Sequence, residues 1–272
     1  MTAGSRAAGH PSGAPPRVTQ LAVTAIKGFR LDHPTSVTLT AGGAVGNRDF
    51  LVVDEQARLL SVTRSGAFLP FWSRFDATTR TLEVGRDDAS VLVEQVEPGE
   101  PVRAHLFGDR YVDATRVPGP WDAFLSELAG ARVHLLKTVD PAAGYDVHPV
   151  TLTSEASVAA LGREGDGSLL DGRRFRMLLT CDGLDPFAED AWSDGEVRVG
   201  TAVLRMGGPV PRCAAVQRHP DHPDQSLDAL RRIARLRGPQ PSESGRTLNL
   251  GVYAAVVRPG VVTVGDALAL PV

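Results

Sequence analysis

A procession of short apolar segments, each cut off by Gly, Asp or Pro, limits most strongly what this chain can become. VTQLAVTAI, SVTLT, FLVVD, LLSVTR, TLEVG, SVLVEQV, VRAHLF and YVDATRV follow one another through the N-terminal part. Apolar runs this short, with turn residues between them, read as strands, and the alternation at Leu82 and Val84 marks a strand with one buried face. FRMLLTCDG, EVRVGTAVLRM, CAAVQ, GVYAAVVRPG and VVTVGDALAL predict a second strand-rich half. Many short strands with few helices predict barrel or sandwich architecture, in a mainly β chain of the α+β class.

Three segments break the pattern. PWDAFLSELAG places Trp121, Phe124, Leu125 and Leu128 on one stripe and stops at Gly130, which predicts a helix. TSEASVAALG predicts another, capped by Thr153 or Ser154 and ended by Gly162. SLDALRRIARLRG predicts a third, with Ser226 as cap, Gly238 as stop and a solvated face of Arg231, Arg232, Arg235 and Arg237.

Composition narrows the function classes. With 29 basic and 32 acidic side chains the net charge is -3, which gives no general pull toward nucleic acid or anionic lipid. No run approaches 18 apolar residues, so no membrane partner is expected. Two cysteines cannot form a disulfide framework and fall short of the four thiolates of an iron–sulfur cluster, which points to a cytoplasmic location. The wealth of Arg, Ala, Gly and Pro suits a high-GC bacterial source. Residues 1–17, rich in Gly, Ala, Ser and Pro, read as a disordered tail, with the fold starting at Val18. DPAAGYDVH, at 140–148, reads as a boundary between two halves.

The chemistry concentrates in GGPVPRCAAVQRHPD. Its prolines stiffen the approach to Cys213, and Arg212 adjoins the sulfur. A fixed thiolate beside a cation suits metal ligation, nucleophilic attack or persulfide carriage, whereas a lone cysteine is as often a small buried hydrophobe. Cys181, inside MLLTC, reads as core. Lys27, Arg48, Arg64 and Arg176 stand at strand ends or turns, where anion sites are commonly built. RHPDHPD lacks regular zinc-ligand spacing and reads as a turn. Neither a phosphate loop, a dinucleotide fingerprint nor a nucleophile elbow is present.

Taken together, HPVTLTSEASVAAL, RRFRMLLTCDGLDPFAEDAWSDGEVRVGTAVLRMGGPVPRC and NLGVYAAVVRPGVVTVGDAL resemble the MOSC domain, named for the C-terminal region of molybdenum cofactor sulfurase. Val18 to about Phe71, with IKG, NRDFLVVD and SVTR, resembles the β-barrel domain that precedes MOSC in larger members. The resemblance implies an N-terminal β-barrel-like domain over 18–140 and a MOSC-type β-barrel over 141–272. It further implies a bound molybdenum cofactor, with Cys213 of the P-x-x-RC pattern as protein ligand to the metal and Arg212 beside it. Lys27, Arg48, Ser157 and Arg176 would contact the cofactor. Amidoxime-reducing members reduce N-hydroxylated compounds, which here would mean a small-molecule N-hydroxy or N-oxide substrate and electrons from a separate reductase. Two other roles are open: a sulfur carrier loaded on Cys213 by a cysteine desulfurase, and a non-catalytic cofactor-binding protein. Three stretches depart from the family. Met177 and Leu178 replace Pro-Asn after RFR, AIKG replaces P-V-K-S, and Val210 replaces the first cysteine of C-x-R-C. The loss of an amide at 178 is expected to weaken hydrogen bonding to the cofactor.

Overall fold

The computed structural model describes residues 14–163, 167–242 and 245–269. Its largest element is a seven-stranded sheet in the order Val18–Leu21, Leu179–Cys181, Val150–Ser154, Asn249–Arg258, Ala202–Pro211, Glu196–Val199 and Leu268–Ala269. Neighbours pair antiparallel except Val150–Ser154 with Leu179–Cys181, which run parallel. The two edge strands meet. Arg17 bridges Ala267, Val18 N donates to Asp266 O at 2.9 Å, and Leu268 N donates to Pro16 O at 2.8 Å. The sheet thus curls into a nearly closed barrel, which leaves few unpaired edge groups. Leu21, Leu39, Leu152, Leu179, Val197, Leu204 and Met206 fill it.

Among the described residues, pairing begins at Pro16, two residues before the expected start; residues 1–13 of the expected tail lie outside the described residues. The barrel also draws strands from both sides of residue 140. Ser36–Thr40 pairs with Gly260–Thr263, and Val37, Leu39 and Ala44 enter the same core as the C-terminal strands.

The remaining N-terminal residues build two smaller sheets. One has the order Phe50–Asp54, Val133–Thr138, Arg110–Arg116, Pro101–Phe107; the other is Phe71–Asp76, Thr81–Arg86, Ala89–Gln95. The helix Trp121–Ala129 ends at Gly130, whose φ of 64° only a residue without Cβ adopts freely. Trp121 and Leu125, one turn apart, are buried against Ile26, Phe50 and Leu135. Burying two side chains of this size contributes roughly 2–3 kcal/mol each.

Three local expectations change. LLSVTR makes a single bridge, Leu59 to Val53, and then turns, because Arg64 N and Ser65 N both close back on Ser61 O. CAAVQ becomes a 3-10 turn, Ala214–Gln217, because the prolines at 209 and 211 break the strand register just before it. The third helix starts at Ala229, capped by Asp228, whose carboxylate accepts from Arg231 N; Ser226 instead bridges Arg218. FWSRFD and VHLLKT are strands that the sequence reading passed over.

Candidate functional site

Both halves of the chain face one cavity of about 520 Å³. Lys27, Arg48, Arg174, Arg176 and Arg212 line it, and Asp146 is the one carboxylate among the lining residues. Leu59, Val62, Leu106 and Phe107 form an apolar wall on the N-terminal side, and Cys213 stands at the same opening. The expected residues Lys27, Arg48, Arg176, Arg212 and Cys213 are brought together.

Backbone strain fixes two of the cations. Arg48 has φ of 60° and Arg176 φ of 52°, a region that costs a side-chain-bearing residue on the order of 1–3 kcal/mol. Arg48 is held there because Arg48 N donates to Thr24 O at 2.7 Å while Asn47 Oδ1 accepts from Thr24 N at 3.1 Å. Arg176 closes the 3-10 turn Gly172–Phe175 and donates through Nη2 to Phe29 O at 2.6 Å. Arg48 Nη2 donates to Arg176 O at 3.3 Å, linking the two strained residues across the halves.

The cations lie where water cannot screen them. Burial pushes the Lys27 ammonium down to about 8, opposed by Asp146 and reinforced by Arg48. Burial, with Arg48 adding to it, lowers Arg176 to about 9. Asp146 runs the other way, down to about 2: burial resists ionisation, but Lys27 and Arg48 together outweigh it. Lys27 Nζ donates to Asp146 Oδ1 and to Gly144 O, each at 2.6 Å, and Arg48 Nη1 lies 4.0 Å from Asp146 Oδ2. Among the described lining residues Lys27, Arg48 and Arg176 share the single carboxylate of Asp146, so this part of the cavity carries a net positive charge in a poorly hydrated space.

Arg212 lies within electrostatic reach of Cys213 and also braces the backbone. Its Nε and Nη2 donate to Leu250 O at 3.1 and 2.8 Å, and its Nη1 donates to Phe175 O at 2.9 Å. It ties the strand Asn249–Arg258 to the turn that presents Arg176. Cys213 is exposed at the cavity, and its Sγ is 3.3 Å from Thr63 Oγ1. Arg218 holds the Thr63 loop by donating through Nε to Val62 O at 2.8 Å. Cys181 is buried in the barrel core, and burial raises its thiol above the usual range.

The profile of the MOSC domain matches residues 140–269. This stretch is a MOSC domain. Among solved structures, the chain resembles the YuaD protein from Bacillus subtilis, at 11% identity over 94% of each chain with a TM-score of 0.45. It also resembles YiiM from Geobacillus stearothermophilus, at 15% identity over 64% of this chain and 72% of that one, with a TM-score of 0.32. No curated protein matches the chain.

Ser157 of the MOSC domain does not line the cavity. It is fully buried, accepts from Phe187 N at 2.7 Å and bonds Ser154 Oγ at 2.7 Å. That network is centred on Glu189, which accepts from Ser154 N, Ser154 Oγ and Thr153 Oγ1 at 3.1–3.3 Å. The FAEDAW motif therefore organises the start of the helix Glu155–Ala159 and packs Trp192 into the barrel. Nor does Leu178 face the site. Its side chain belongs to the barrel core, whereas Met177 lines the cavity and its sulfur meets Arg212 Nη2 at 2.6 Å. Sequence reading missed Asp146, Thr63, Arg174, His148 and Tyr253. Asp146 and His148 stood in DPAAGYDVH, whose turn residues made it look like a connector. RHPDHPD is a turn in which His219 Nδ1 accepts from Asp221 N and His222 N, while Arg64 is drawn to Asp54 rather than to the cavity.

Proposed function

We propose that the cavity binds the molybdenum cofactor and that the protein is a molybdenum-dependent oxidoreductase for N-hydroxylated or N-oxide substrates. Some MOSC domains bind this cofactor. The observation that carries the reading is the convergence of Lys27, Arg48 and Arg176, which share one carboxylate, with an exposed thiol in one cavity of suitable size. Lys27, Arg48 and Arg176 would take the anionic and polar groups of the pterin, whose charge needs such partners once it leaves water. Cys213 would supply the protein thiolate to the metal, with Thr63 Oγ1 orienting its sulfur and Arg212 bracing the Arg176 turn. When bound, the cofactor supplies two-electron redox chemistry at the metal. Reduction of an N-hydroxy group consumes two electrons and two protons and releases water. The electrons would come from a separate reductase. Leu59, Val62, Leu106 and Phe107 would offer the substrate an apolar wall, excluding water from the reacting face.

The test is elemental analysis of the protein made in a host that produces the cofactor, beside Cys213→Ser. About one molybdenum per chain, lost in the variant, supports the reading. Molybdenum in neither, with cyanide-labile sulfur on Cys213, replaces it with the sulfur-carrier role, for which the exposure of this thiol also speaks.

A further inference from the structure

Asp146 occupies the place in the cation cluster that a ligand anion needs. Its carboxylate spans two cations, with Oδ1 on Lys27 Nζ at 2.6 Å and Oδ2 at 4.0 Å from Arg48 Nη1. A second anion that meets both cations comes close to the same ground, where two like charges repel. The carboxylate is free to leave: 53% of the Asp146 side chain is exposed, while its partner Lys27 is buried.

The backbone around it is not free. Gly144 O accepts from Lys27 Nζ, and a Cβ at Gly144 would collide with Arg48 O, so only glycine lets this loop approach. Arg110 donates to Ala143 O at 2.9 Å and Tyr145 O at 3.1 Å and lies 4.2 Å over the Tyr145 ring. Asp49 Oδ1 accepts from Ala142 N at 2.6 Å. Release of Asp146 thus takes a side-chain rotation on an anchored loop, with no movement of the loop itself.

We propose that Asp146 is a built-in competitor for the anion seat: it and the ligand anion exclude each other from Lys27 and Arg48, which sets an affinity threshold that weakly held anions do not pass. The inference rests on reading the cluster as an anion seat and adds what regulates entry to it. Displacement makes a distinct prediction. If Asp146 leaves, removing its charge helps every anion by the same factor, since the same contact is broken each time. If Asp146 stays and merely repels, the gain grows with the ligand's charge.

The experiment is calorimetric titration of the cofactor-free chain with phenyl phosphate, a dianion at pH 7.5, and phenyl sulfate, a monoanion of the same shape. Wild type, Asp146→Asn and Asp146→Ser are compared, with thermal melting to check the fold. Both variants are expected to bind both probes at least ten-fold more tightly, by one common factor. A gain for the dianion close to the square of that for the monoanion overturns displacement, as does no gain or a gain in one variant only. If Asp146→Asn and wild type bind neither probe, the anion seat itself is wrong and the inference falls with it.

Discussion

Two groups of charged side chains are withdrawn from water in this protein, and they are settled in opposite ways. Around Glu189 each donor within reach points at the carboxylate: Ser154 N, Ser154 Oγ and Thr153 Oγ1 all donate to it. Next door Asp190 is matched by Arg237, whose guanidinium also lies 4.3 Å over Phe187. Around Lys27, by contrast, several cations face one half-exposed carboxylate. Charge that the chain balances internally serves the fold, whereas charge left short is available to a ligand. The comparison also explains why the ordered motif FAEDAW and the cation set, both prominent in the sequence, do unrelated work.

Removing Glu189 should break the first group most severely. Glu189→Ala leaves three buried donors without their acceptor, and we expect a loss of about 3–5 kcal/mol in denaturant unfolding. Its affinity for phenyl phosphate, measured on the folded fraction, should stay within two-fold of wild type; a large drop would mean that the two groups are coupled. Leu178→Asn comes next. The amide would enter the barrel core, not the cavity, so it should cost about 2–4 kcal/mol of stability and leave molybdenum content unchanged. A gain in molybdenum would show that residue 178 reaches the cofactor after all.

The third effect is read by pH. Lys27 titrates at about 8 in the folded chain against 10.5 for an ordinary lysine, so the unfolded chain holds the proton more tightly between these values. The Lys27 contribution to stability is a penalty of about 3 kcal/mol at neutral pH, relieved as pH rises from about 8 to 10.5. Anion affinity runs the other way and should fall as pH rises through about 8. Titrating phenyl phosphate from pH 6.5 to 8.5 in wild type and Lys27→Met checks the second, since the decline over this range should vanish in the variant, and denaturant unfolding over pH 7 to 10.5 checks the first.

Much of this was legible beforehand because it is local. Alternation predicted strands such as Thr81–Arg86 and Glu196–Val199, and the apolar stripe with its glycine stop predicted the helix Trp121–Ala129. The candidates Lys27, Arg48, Arg176 and Cys213 were legible as residue types at turns. What could not be read was set by distance in sequence. Asp146 meets Lys27 across 119 residues, and Thr63 meets Cys213 across 150. Ser157 looked like a site residue because it sits in a motif, but its hydroxyl is used within its own half. Leu178 looked like a lost donor because the sequence does not say which of two neighbouring side chains, 177 or 178, turns toward the cavity.

The closure of the barrel has a consequence for how the protein is made. Arg17 and Gly265, joined by a hydrogen bond at the seam, are 248 residues apart in sequence. On the ribosome, Val18–Leu21 emerges among the first strands and must wait for almost all of the rest before its neighbour across the seam exists. Two sheets and a helix of the N-terminal half can assemble during that wait, but the barrel that presents Cys213 and Arg176 closes only once Leu268–Ala269 has emerged. Pairings this remote in sequence fold slowly and leave strands exposed meanwhile. Competence to take up a ligand therefore waits on the strand that closes the seam, long after the N-terminal cations have been made.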